Sequence, residues 1–183
     1  MTKKLVTAFA VVVVALSAAV GVQAFASHHG NDGGTVRLSG YQETPNALNT
    51  PAKGRFSATI DNQAQTISYK LSYSGFTGTV TQAHIHFGHR FSSQGIAVFL
   101  CSNLGNGPAG TPNCPTPSGT VTGTLHPASV VGPAAQGIQP GDFASVAKAI
   151  RAGVAYANIH TAAFPGGEIR AQLDRFRGDD DQH

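Results

Sequence analysis

The run Ala83-His84-Ile85-His86-Phe87-Gly88-His89 sets two imidazoles two residues apart in a stretch that reads as a β-strand. Successive strand side chains point to opposite faces, so His84 and His86 project together while Ile85 and Phe87 face the other way. A second strand-like stretch, Ala155-Tyr156-Ala157-Asn158-Ile159-His160, ends in a third histidine. Imidazole suits both copper and zinc, and ligand type alone does not choose between them. Three histidines with an open fourth position resemble an exchangeable or catalytic site more than a closed structural one. His89, just after the strand, and His126, before Pro127, are candidate fourth ligands. The competing reading gives these histidines ordinary hydrogen bonds, with Asn158, Thr161 and Glu168 as available partners.

Other reactive groups are sparse. Glu43 and Glu168 are the only glutamates. Two carboxylates can flank a glycosidic bond, but nothing in the sequence brings these together, and both read as turn or strand-edge hydrogen bonders. There is no Gly-x-Ser-x-Gly elbow, no phosphate-binding loop and no dinucleotide fingerprint. Tyr41, Tyr69, Tyr73 and Tyr156 read as core or sheet residues, and the chain has no Trp. Cys101 and Cys114 bracket a segment rich in Gly, Pro and Asn. In an exported chain an even cysteine count favours a disulfide, with a metal-binding thiolate pair as the alternative.

Short strands carry these groups. Candidates are Thr35–Ser39, Arg55–Ile60, Thr66–Tyr73, Thr79–Phe87, Gly95–Cys101, Thr120–Leu125, Val154–His160 and Glu168–Leu173. Asp61-Asn62 is a turn signal that pairs the second and third as a hairpin. Between Asp142 and Gly153 the period changes. Phe143, Val146, Ala147 and Ile150 fall at helical spacing, Asp142 suits an N-cap, and Gly153 suits the left-handed position past the end. The pattern predicts an all-β fold, an antiparallel Greek-key sandwich or barrel of about seven or eight strands with one short helix.

The first 26 residues have another character. Lys3 and Lys4 precede the apolar stretch Leu5–Val20, followed by the small-residue patterns Val22-Gln23-Ala24 and Ala24-Phe25-Ala26. That is the layout of a secretory signal peptide, residues 1–26. A retained membrane anchor is the alternative, although the stretch falls short of the roughly 20 residues of a spanning helix. With no second apolar run, the mature chain is expected in a secreted or periplasmic setting. Cleavage after Ala26 would expose Ser27-His28-His29, whose amine, amides and imidazole suit square-planar copper(II); cleavage after Ala24 would abolish that site. A polar flexible leader at 27–34, a β domain at 35–175 and an acidic flexible tail at 176–183 complete the expected organisation.

Of the 12 Lys and Arg, two leave with the signal, so ten face nine Asp and Glu, a net of +1. No basic patch in the sequence argues for nucleic acid. Charged residues make up 11% of the chain, with 22 Gly and 10 Pro, which fits a turn-rich β protein. The roughly 157 residues after Ala26 are enough for one domain with one core.

The chain resembles bacterial forms of the CHRD domain, the module named from chordin. The resemblance rests on Leu38-Ser39-Gly40-Tyr41-Gln42-Glu43-Thr44-Pro45, Gly54, Ala83–Gly88, Gly119–Leu125, Tyr156–Thr161 and Phe164–Leu173, in that order. It implies a compact all-β module on an exported protein and no particular reaction. A weaker similarity links His84, His86, Phe87, Gly88 and the distant His160 to copper-zinc superoxide dismutase. The chain departs from that family by having no bridging histidine (Cys101 lies near its spacing), no further zinc ligands and no recognisable guiding arginine.

These readings converge on a non-catalytic binding module that holds copper or zinc through His84, His86 and His160. Two rivals stand beside it: a copper-dependent redox enzyme resembling superoxide dismutase, and a structural or adhesive domain that meets extracellular proteins or itself through exposed strands.

Overall fold

The computed structural model describes residues 32–176. Eight strands form one antiparallel sheet: β1 (Asp32–Ser39), β2 (Lys53–Asp61), β3 (Thr66–Ser74), β4 (Val80–Phe87), β5 (Ile96–Ser102), β6 (Gly119–Leu125), β7 (Ala155–Thr161) and β8 (Ile169–Gln172). Their order is β5-β4-β7-β8-β1-β2-β3-β6. The two edge strands β5 and β6 touch, and Val98 bridges Val130, so the sheet curls nearly into a barrel. β6 returns beside β3 past the β4–β5 hairpin, which is a Greek-key connection. The one α-helix among the described residues, α1 (Phe143–Arg151), buries Phe143, Val146, Ala147 and Ile150. The Asp142 carboxylate accepts from the Ser145 N–H at its start, and Gly153 has φ +67° beyond its end.

Alternation within strands builds the interior. Phe56, Ile60, Ile67, Leu71, Ile85 and Ile159 are each at most 1% exposed. β2 and β3 pair from Lys53↔Ser74 to Asp61↔Thr66, as the Asp61-Asn62 turn requires. Cys101 and Cys114 are disulfide-bonded, which excludes the thiolate-pair reading.

Three sequence expectations need correction. β1 begins at Asp32, so residues 32–34 are strand rather than leader. Asp32 is tied by an ion pair to Arg151, and Gly34 lies so close to Arg175 and Phe176 that a Cβ there would stand 2.7 Å from the Arg175 carbonyl oxygen. Phe176, grouped with the acidic tail by composition, is fully buried against Phe56. Tyr41 is neither core nor sheet, being 72% exposed. The expected signal segment and Asp179–Asp181 lie outside the described residues. Among those described, no helix is long and apolar enough to cross a membrane.

Candidate metal centre

β4 runs antiparallel to β7, with His84 opposite Asn158, His86 opposite Tyr156 and Gln82 opposite His160. Directly opposed residues share a face, so His84, His86 and His160 meet on the side of the sheet away from Ile85 and Ile159. One ring nitrogen from each histidine lies within 4.8 Å of the other two. Their exposures are 0, 7 and 6%, so the cluster is sealed from solvent.

Two of the three rings are oriented by a backbone carbonyl, which can only accept. His86 Nδ1–H donates to the Gln94 carbonyl at 2.8 Å, and His160 Nδ1–H donates to the Pro165 carbonyl at 3.0 Å. Both residues therefore present an unprotonated Nε2. His84 Nδ1 lies 3.1 Å from His160 Nε2. The Nε2 atoms of His84 and His86 are buried without a hydrogen-bond partner. Burial holds His84 down to about 2, with His160 and His86 adding to the effect. Burial also lowers His86, to about 4 against the opposing pull of its Gln94 bond, and lowers His160. Neutral imidazoles are what a transition-metal ion requires, and backbone carbonyls behind ligand histidines are its usual second layer.

A model of the CHRD domain family matches residues 34–173. The chain belongs to the CHRD domain family. No curated protein and no solved structure matches it.

In this CHRD domain the histidines are part of a wider buried polar layer. Tyr156 stacks on His86 with 4.7 Å between centroids and 1° between planes. Arg170 lies over the other part of that stack, its Cζ 3.4 Å from the Tyr156 centroid. Only 1% exposed, Arg170 donates to Thr44 Oγ1, the Ser92 carbonyl and the His89 carbonyl at 2.8–2.9 Å. Those contacts clamp the 40–51 and 88–95 loops over the layer. Glu168 accepts from Thr50 at 2.7 Å and Thr161 at 2.6 Å, which ties down the 161–168 turn. Asn158 donates to Glu43 Oε2 at 3.3 Å, and burial pushes Glu43 up to about 7, with Glu168 nearby adding to the rise.

None of the side chains available to the histidines in the hydrogen-bonding reading hydrogen-bonds to them among the described residues, since Asn158 donates to Glu43 and Thr161 to Glu168. His89 and His126 are exposed and stand outside the cluster. His89 contributes only its carbonyl, and His126 opens a short 3-10 turn with its backbone N–H bound to Ser129. His28 and His29 lie outside the described residues. Sequence reasoning missed Arg170 and Gln172 as members of the layer, and it read Tyr156 as a core or sheet residue and Asn158 as a partner of the histidines. The signal was available: these four alternate with Ala157, Ile159 and Ala171, and placing Arg170 between apolar neighbours is unusual for a solvated strand face.

Proposed function

We propose that this CHRD domain is an exported, non-catalytic module that holds one copper or zinc ion through His84, His86 and His160. The observation that carries the reading is the pair of buried Nε2 atoms on His84 and His86 that have no hydrogen-bond partner, facing a third imidazole. An unpaired buried polar atom costs free energy that a bound cation recovers. The donor set fits the group: three neutral nitrogens, of which two are aimed by carbonyls that cannot shift their proton. When bound, the ion would supply Lewis acidity, with electron transfer as well if it is copper. The chain's own residues position the donors and exclude water.

The sealed cluster favours holding over turnover. Arg170, the one arginine buried in the layer, has its guanidinium committed to Thr44, Ser92 and His89. The Cys101–Cys114 disulfide supports an oxidising compartment outside the cytoplasm.

Metal content decides the matter. Protein lacking residues 1–29 is exposed equally to copper and zinc, dialysed, and analysed by elemental mass spectrometry beside the His84→Ala/His86→Ala variant. About one ion per chain, lost in the variant, is the expected result. No bound metal in either protein would overturn the reading and leave a structural or adhesive domain.

A further inference from the structure

Ten basic residues against nine acidic ones after Ala26 give no hint of a charged surface, yet the fold builds one. Arg37, Arg55, Arg90 and Arg175, drawn from β1, β2, the 88–95 loop and the segment after β8, line one groove of about 620 Å³. The Arg90 charge is met by Asp174 in the same groove. Arg37, Arg55 and Arg175 form no ion pair among the described residues, and all three are exposed.

Two of these arginines sit where the fold alone would not put them. Arg37 is the direct cross-strand partner of Arg55. Like charges directly opposite on one face oppose strand pairing. A second groove, of about 610 Å³, shares Arg37 and Arg55 and continues along Lys53, Ser72 and Thr120. The two form one basic, hydroxyl-lined path across the outer face of the sheet.

The floor adds an independent feature. Gln172 lines the first groove at 5% exposure. Its amide protons are taken by the Gly88 carbonyl at 2.9 Å and the Gly153 carbonyl at 2.8 Å. Its Oε1 has no partner. A ligand for this groove must bring negative charge for the arginines and polar groups for the hydroxyls along it.

We propose that this groove binds an acidic polysaccharide, with uronate sugars as the ligand class. Carboxylates spaced along such a chain meet Arg37, Arg55 and Arg175 as charge-assisted, two-pronged pairs. Sugar hydroxyls suit the Ser39, Ser72 and Thr120 hydroxyls that line the second groove. Nucleic acid fits less well. Single strands are gripped by stacked aromatics, and among the described residues the only aromatic lining either groove is Tyr73, 5% exposed with its hydroxyl donated to the Pro115 carbonyl. The site does not depend on the histidine cluster.

The test is isothermal titration of an oligogalacturonate of about eight sugars into the full chain and into Arg37→Gln/Arg55→Gln. A Lys148→Gln variant, which removes one exposed charge outside both grooves, controls for a general charge effect, and a neutral dextran and a single-stranded oligodeoxynucleotide of matched charge serve as competitors. Saturable binding is expected, weakened about tenfold or more by the arginine pair and little changed by Lys148→Gln. The arginine variant should also melt no lower than the parent, since it relieves a like-charge contact. No binding, an equal loss in Lys148→Gln, or equal or tighter binding of the oligonucleotide would overturn the proposal. So would binding that appears only after residues 178–183 are removed, which would assign the groove to the chain's own Asp179–Asp181.

Discussion

A carbonyl cannot donate, so the Gln94 and Pro165 contacts fix the proton on Nδ1 of His86 and His160 and leave Nε2 of each ring unprotonated, that of His160 standing 3.1 Å from His84 Nδ1. Burial then keeps the rings neutral, and this couples the fold to pH. The native chain keeps all three histidines unprotonated below the ordinary imidazole range, whereas the unfolded chain takes up a proton on each near pH 6.5. Stability is therefore full above about pH 6.5 and falls as pH drops below it. Glu43 works the other way: raised to about 7, it keeps its proton in the native state while the unfolded chain loses it near 4.5. His84 and His86 against one carboxyl leave a net of about one proton between pH 4.5 and 6.5, worth about 1.4 kcal/mol per pH unit, and His160 adds in the same direction. Urea denaturation at pH 7.5, 6.5 and 5.5 should show stability level across the first step and lower at the last. His84 and His86 were legible because a two-residue spacing fixes a shared face. Glu43 was not, because its partner Asn158 stands 115 positions away and a turn sequence carries no trace of what folds over it.

At the level of elements, β7 and β8 are read correctly from alternation, and the three loops above them are not. Each loop takes its place through buried side chains: Arg170 and Asn158 hold 40–51, Arg170 also holds 88–95, and Glu168 ties 161–168 to Thr50. Gly167 shows how tightly the last of these is drawn. Its φ of +125° lies where side chains are strained, and a Cβ would fall 2.5 Å from Asn158 Oδ1. Gly167→Ala should cost about 2 kcal/mol or more in urea denaturation. It should also shift the Pro165 carbonyl behind His160, and so weaken retention of zinc by about tenfold or more if the cluster binds it. A competition assay against a colorimetric chelator reads that change. β1 was placed three residues late because glycines such as Gly33 and Gly34 read as a leader, when close approach of Phe176 is what requires the second of them.

For the molecule as a whole, fold class was legible and strand order was not. Turn signals and period-two apolar patterns specify antiparallel strands, whereas the neighbours β4–β7 and β8–β1 are settled by pairings far apart in sequence. The disulfide secures a loop beside this assembly, and it is not alone in doing so. Asn103 donates to the Val80 and Cys114 carbonyls and accepts from the Cys114 N–H, pinning the same loop by hydrogen bonds. Reduction should therefore lower stability by about 3 kcal/mol, from released chain entropy, while far-ultraviolet circular dichroism at 25 °C stays unchanged. Thermal melts with and without a reductant check both parts. The closeness of Gly34 to Arg175 and Phe176 has a further consequence. The polypeptide comes into the domain and goes out of it at one place, so the module has the geometry of a bead on a closed thread. It can be spliced into the surface loop of a host protein, or strung in tandem, without any strand having to be drawn across its body.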